Sequence, residues 1–409
     1  MTRLAIVADS LPQDLHPGSF TAIELFMPSP DLADAPLAGL RNACDRAQAS
    51  GCDWLIAPTP GETLRPHALA IAAPALGYDA IFGAVEVSGS GEGVWRPSRL
   101  AFDDAARLPH ALLHWWVGAT HLVRVDIARA VLAGLDEEAG RLDYFFALWA
   151  GHRCIKLAQP LLSVDTTPAP TIAEEKQVVL ERLAADPVFL PVSFGRDSYR
   201  LPYTGRNAGI ERDQTRGDFF EAAELNYLLR RIGTGKRIVD VGANTGNHTV
   251  FFAGPMQAAS VIPFEPLPDV AAILRRSVEA NGLGHVDMSQ LCVGLSDAPG
   301  RAGVVRSERG GLGASRLVDD PDGEIPVMRL DDALTEAVDF LKIDVESMEM
   351  RVLAGAAGII ARDRPVIFIE IANENTTAFV EWLTQGNYRV ERIFSDKGHS
   401  NYLIAPSGD

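Results

Sequence analysis

Apolar positions along this chain fall into short runs separated by amphipathic stretches. In the first half Leu4–Ala8, Ile23–Met27, Trp54–Ala57 and Ala80–Val87 read as strands, with helices near Leu37–Ala49 and Pro66–Ala75. Further on, His121–Val125 and Cys154–Leu157 read as strands, and Ile127–Ala133 and Asp143–Ala150 as helices. Alternation of this kind predicts an α/β domain with a mostly parallel sheet covered by helices. The rhythm breaks at Ser163–Ile172, where Pro168 and Pro170 stand among threonines, and a charged helix, Ala173–Ala184, ends near Asp186-Pro187. A chain of 409 residues exceeds what one core usually supports, so the break marks a boundary between residues 1–186 and 187–409.

The second half resumes with strand-like Phe189–Phe194 and Ser198–Leu201. From Phe219 to Ile232, Phe220, Leu225, Leu228, Leu229 and Ile232 recur at helical spacing. Strands are then expected at Ile238–Val241, from Val261, and at Met288–Cys292, Phe340–Ile343, Val366–Glu370, Tyr388–Phe394 and Asn401–Ile404. Helices are expected at Asn247–Ala253, Asp269–Asn281, Met348–Ala354 and Thr376–Gln385, and Pro299–Gly313 reads as a glycine-rich connection.

Composition narrows the classes. The residues are 47% hydrophobic and 22% charged, as in an ordinary globular protein. A formal net charge of −17 argues against general nucleic-acid binding, which leaves a basic footprint. Cys44, Cys52, Cys154 and Cys292 lack C-x-x-C spacing and read as reduced thiols. The start of the chain lacks the pattern of a secretion signal, and no run reaches the roughly 18 apolar residues of a membrane span. The expectation is a cytoplasmic protein, with a homo-oligomer left open.

Strand Ile238–Val241 feeds directly into Gly242-Ala243-Asn244-Thr245-Gly246. The glycines remove side chains where the chain bends or approaches a ligand, and Asn244 tolerates left-handed dihedrals. A strand, a glycine turn and a helix N-terminus form the nucleotide-binding corner of a doubly wound sheet. About 20 residues on, the next strand ends in Glu265, a spacing that suits a carboxylate on ribose hydroxyls. The third glycine of a dinucleotide site is missing, and Asp240 repels phosphate while attracting a cation. These features favour S-adenosylmethionine over a dinucleotide.

Strand Phe340–Ile343 delivers Asp344, Glu346 and Glu349 to the carboxyl edge of the sheet, where open α/β sheets bind ligands. Asp344 or Glu346 orients a substrate hydroxyl or acts as base; alternatively each is an N-cap worth about 1 kcal/mol to the following helix. Glu349 reads as a helix-start charge. Glu370 ends the next strand in an equivalent position, as active-site wall or satisfied buried acid.

Five ordered blocks, Val239–Gly246, Phe264-Glu265-Pro266, Leu295-Ser296-Asp297, Phe340–Glu346 and Ile369-Glu370-Ile371, resemble FkbM-type methyltransferases over roughly Val188 to Pro406. The resemblance implies a class I, Rossmann-like fold that transfers a methyl group from S-adenosylmethionine to a hydroxyl, often on a sugar or natural-product scaffold. It makes Asp240, Gly242, Ala243, Asn244 and Gly246 the cradle of the methionine and sulfonium, puts Glu265 on the ribose, and places the loop around Cys292 near the adenine. Asp344, Glu346 and Glu370 are the candidate catalytic acids and His399 a candidate base; His248 reads as a packing residue. No required metal is expected, since no His accompanies the acids at ligand spacing. Ser347 stands where the family usually has glycine, so a positive φ there costs on the order of 1 kcal/mol and shifts the helix start.

In the first half, Leu40–Cys44, Gly51–Ala57, Leu64-Arg65-Pro66, Leu122-Val123-Arg124 and Gly134–Glu138 resemble a GT-A glycosyltransferase. The Asp-x-Asp that such enzymes use for metal and diphosphate is replaced by Pro58-Thr59-Pro60-Gly61-Glu62, which implies lost transfer activity. The reading is therefore an O-methyltransferase for a saccharide or related small molecule. The alternative is a glycan-binding or glycosyl-transferring protein whose methyltransferase-like domain is structural.

Overall fold

The computed structural model describes residues 2–9, 11–28, 36–58, 61–87, 101–114, 120–136, 138–164, 171–306, 311–312, 315–395 and 398–407. The chain forms two compact units, Met1–Arg182 and Leu183–Asp409. Most of the connection expected at Ser163–Ile172, parts of Pro58–Glu62 and Pro299–Gly313, Glu137, and Asp396 and Lys397 lie outside the described residues.

The first unit carries a seven-stranded sheet of β1 (Arg3–Val7), β2 (Ala22–Phe26), β3 (Trp54–Ile56), β4 (Glu62–Leu64), β5 (Ala80–Val87), β6 (His121–Arg124) and β7 (Cys154–Val164), in the order β2-β1-β3-β6-β5-β7-β4. It is mixed, not mostly parallel as the alternation suggested. β6 runs antiparallel to both β3 and β5, and β4 antiparallel to β7. The apolar run of a strand buried on both faces reads the same in either direction, so the pattern marks the strand and leaves its direction open. Glu62 lies on β4 and accepts a hydrogen bond from Thr120. Asp143 accepts from the Gly140 N–H at 2.9 Å, opening the helix Arg141–Gly151.

The second unit opens with the hairpin β8 (Val188–Phe194) and β9 (Asp197–Tyr203), whose Val192 and Leu201 join the core below the main sheet. That sheet comprises β10 (Arg237–Val241), β11 (Ser260–Phe264), β16 (Phe340–Ile343), β17 (Val366–Ala372), β18 (Tyr388–Ser395) and β19 (His399–Pro406), ordered β11-β10-β16-β17-β19-β18. The first four are parallel, and β19 runs antiparallel between β17 and β18. Alternation along the strands divides the core: Ile238, Phe340, Phe368 and Leu403 face one layer, while Val239, Leu341, Ile367 and Ile404 face the other. This is a Rossmann-like α/β sheet, and the order in which its strands are added reverses at β10, flanked by β11 on one side and β16 on the other. Ligands bind at such a switch point.

Three local expectations change. Met288–Cys292 is not a strand: Met288–Gln290 is a 3₁₀ turn, started by Asp287 accepting the Ser289 N–H at 2.9 Å. The stretch from Pro299 carries strands of its own, for β12 (Gly294–Leu295), β13 (Gly300–Arg306), β14 (Ser315–Asp319) and β15 (Ile325–Met328) form a second sheet ordered β12-β15-β13-β14. β13 and β14 are largely solvent-facing, so burial imposed no strong apolar signal on them. The helix expected from Phe219 begins at Ala222, because Glu221 takes a left-handed φ of 57°. Among the described residues no helix is long and apolar enough to cross a membrane.

Candidate active site

β10 and β16 end side by side, and their following residues nearly touch. Gly242 has φ of 74°, and its N–H and that of Ala243 both donate to the Phe264 carbonyl at 3.0 Å. Asn244, at φ 50°, continues the left-handed path, and its Oδ1 accepts the Thr245 N–H at 2.8 Å. The turn is thereby stitched to the end of β11, where Glu265 is 6% exposed. Glu265 accepts the Asn244 N–H at 2.9 Å on one carboxylate oxygen and the Leu267 N–H at 3.0 Å on the other. Burial pushes its pKa up to about 7, against the pull of those two N–H groups and of Lys342.

A cavity of about 510 Å³ opens over these residues. Gly242, Ala243, Asn244 and Glu265 line one part of it, with Pro266, Val293, Gly294 and Leu317 adjoining. Asp344, Glu346, Glu370 and His399 line it too. His399 Nε2 lies 3.2 Å from Glu370 Oε2. His399, between the strands expected at Tyr388–Phe394 and Asn401–Ile404, is the first residue of β19, paired in register with Ala372 on β17, the strand that carries Glu370. Burial, and then the neighbouring Asp344 and Glu346, push the Glu370 pKa up to about 9. Glu346 rises to about 7 through burial, then through Asp344 and Glu349.

Asp344 and Glu346 do not cap the helix Glu349–Gly355, since Met348 is its N-cap residue and makes no side-chain cap. Glu349 satisfies the local backbone instead, accepting the Ser347 N–H at 2.6 Å and the Asn375 amide at 2.8 Å. Glu346 and Ser347 have φ of 49° and 73°, consecutive left-handed residues of which Glu346 lines the cavity. Backbone strain of this kind clusters at functional sites.

Three residues assigned to the cofactor stand outside the cavity lining. Asp240 is fully buried beneath the turn; its Oδ2 accepts from Thr249 at 2.6 Å and its Oδ1 lies 3.5 Å from Lys342 Nζ. Its charge is spent on a lysine, its register partner on β16. Gly246 packs against Leu274 and Ser277 as the residue before the helix Asn247–Ala253. Cys292, at φ 68°, ties its N–H to the Glu265 carbonyl at 2.8 Å, while Val293 and Gly294 reach the cavity.

Sequence reasoning passed over a second carboxylate–histidine pair. Glu221 lines the cavity, with Oε2 3.0 Å from His248 Nε2 and Oε1 accepting from Asn401 at 3.0 Å. Burial raises its pKa, but His248, Lys342 and Asn401 outweigh burial and hold it below the usual carboxylate value. Its left-handed conformation carried no sequence signal. His248 lines the cavity beside Glu221 and packs near Phe252.

A Rossmann-like sheet with a glycine turn, a buried acid at the end of the next strand and an acid-lined cavity at the switch point has the layout of a nucleoside-cofactor site. Residues 240–390 match the family model of the methyltransferase FkbM domain. The second unit thus carries a methyltransferase domain, and its cofactor is S-adenosylmethionine. Among solved structures, the ribosomal protein L11 methylase of Lactobacillus delbrueckii subsp. bulgaricus is similar at 10% identity, over 46% of this chain and 78% of its own, with a TM-score of 0.31. An rRNA methylase of Streptococcus thermophilus is similar at 13% identity, over 46% and 96%, with a TM-score of 0.31. Aeropyrum pernix fibrillarin in complex with S-adenosyl-L-methionine is similar at 15% identity, over 42% and 68%, with a TM-score of 0.29. No curated protein matches the chain.

Proposed function

We propose that the second unit is an O-methyltransferase acting on a hydroxyl of a saccharide or related small molecule. The supporting observation is that one cavity holds both a nucleoside-binding corner, Gly242–Asn244 with Glu265, and an acid–histidine group, Asp344, Glu346, Glu370 and His399. The corner fits the cofactor, because Gly242 leaves backbone bare and Glu265 keeps lone pairs beyond its two backbone bonds. When bound, S-adenosylmethionine supplies an electrophilic methyl group on a positively charged sulfur. Asp344 and Glu346 orient the acceptor hydroxyl for in-line transfer. His399 accepts the hydroxyl proton, and Glu370, a neutral acid below about 9, holds its ring by the contact with Nε2.

S-adenosylhomocysteine at a hundred times its dissociation constant should stabilise the chain by about 2.7 kcal/mol. Incubation with S-adenosylmethionine and a panel of hydroxyl-bearing sugars should release S-adenosylhomocysteine. Asp344→Ala should keep cofactor binding and lose turnover, while His399→Asn lowers kcat about 10²–10⁴-fold. Normal turnover in Asp344→Ala overturns the assignment of roles. For Met1–Arg182 we infer a GT-A-like fold without transfer activity, supported by the lone Glu62 where Asp-x-Asp is needed. UDP- or GDP-sugar with manganese should then leave the melting temperature unchanged.

A further inference from the structure

Lys342 is a lysine only 2% exposed, on a parallel strand in the middle of the main sheet. Its Nζ donates to the Gly242 carbonyl at 2.9 Å, the first of the turn, and to the Val241 carbonyl at 3.4 Å, the last of β10. The same Nζ donates to Asp344 Oδ2 at 3.3 Å and lies 3.5 Å from Asp240 Oδ1. One ammonium thus bonds the backbone that faces the cofactor and the acid that faces the acceptor. An isolated buried cation costs several kcal/mol, and it persists only where partners surround it.

The partners come from every strand around it. Asp240 stands on β10 and Asp344 at the end of β16; Glu221 precedes the helix Ala222–Ile232, Glu265 follows β11 and Glu370 lies on β17. Burial lowers the ammonium pKa, yet Asp344, Asp240 and Glu221 together hold it above the usual lysine value. In return Lys342 lowers the pKa of Glu265 and Glu370, opposing their burial.

Resting on the methyltransferase reading above, we infer that Lys342 is a positioning residue that locks the Gly242 turn to Asp344 and serves as the shared counter-charge of the cofactor and acceptor ends of the cavity. It touches neither reactant in this role. It sets where the turn carbonyls and the acid sit, and its charge pulls the Glu265 pKa down against burial, so that more of the carboxylate is ionised to accept the ribose hydroxyls. The groups that tune Glu265 are then Lys342, Asp269 and the N–H groups of Leu267 and Asn244.

The test titrates S-adenosylhomocysteine into the full chain by calorimetry from pH 5.5 to 9.5. Wild-type protein should bind more tightly as pH rises through a midpoint near the Glu265 pKa of about 7. Lys342→Met is paired with Asp240→Asn so that no lone buried charge remains. That double variant should move the midpoint up by at least one unit and weaken binding at pH 7 at least tenfold. Lys342→Arg keeps the charge and changes the reach, so it should keep the wild-type midpoint with several-fold weaker binding. An unshifted midpoint in a double variant that melts like wild type overturns the inference. If the double variant does not fold, wild-type affinity in Lys342→Arg overturns the positioning role by itself. Absence of any heat with wild-type protein at every pH instead refutes the methyltransferase reading, so the two failures are distinct.

Discussion

A Cβ placed on Gly242 would lie 1.7 Å from the carbonyl oxygen of Asp344. The two residues follow neighbouring parallel strands, β10 and β16, so the closeness of cofactor turn and candidate acid is set by backbone packing. Only a residue without a side chain permits it.

Gly242→Ala therefore combines a backbone clash with a left-handed φ of 74°. Such a φ alone costs about 1–2 kcal/mol for an L-residue. The turn must open, and S-adenosylhomocysteine affinity should fall at least 30-fold. Calorimetric binding within threefold of wild type would show that the turn does not contact the nucleoside.

If Glu265 holds the ribose, as proposed, Glu265→Gln removes the charge of that acceptor while keeping its shape. Hydrogen bonds to charged groups are worth about 1.5–3 kcal/mol, so KM for S-adenosylmethionine should rise roughly 10- to 100-fold. The acceptor side is untouched, and kcat should change little. Steady-state kinetics at varied cofactor concentration checks the split.

Glu370 is raised from 4.5 to about 9 in the folded protein. Between those values the folded chain holds a proton that the unfolded chain has released, so this group's contribution to stability is full below about 4.5 and is lost as pH rises through 9. Glu370→Gln should flatten the fall in melting temperature from pH 5 to 9 and raise it at pH 9. An identical pH slope in both proteins would place Glu370 in a solvated setting.

Ser347 holds φ of 73° while its N–H and carbonyl engage Glu349 and Asn375 through backbone atoms alone. Ser347→Gly keeps both bonds and relieves strain on the order of 1 kcal/mol, partly offset by glycine's entropy when unfolded. At about 2–4 °C per kcal/mol for a unit of this size, the melting temperature should rise by a degree or more. A lower melting temperature would mean that the serine side chain adds packing.

The chain by itself determined the strand–turn–helix at Ile238–Ala253, the strands of the main sheet through Ile404 and the positions of Gly242, Glu265 and Asp344 just past strand ends. Those features are local: alternation with period two marks a strand, and glycine marks a turn whatever surrounds it. Tertiary structure decided what these residues meet. Register on β10 and β16 placed Asp240 against Lys342, beneath the turn. Antiparallel insertion of β19 brought His399 to Glu370, and the left-handed Glu221 brought a second carboxylate to His248. Strand register and direction are fixed by pairing between segments far apart in the chain, and one-residue shifts exchange the two faces, so no local pattern can carry that information.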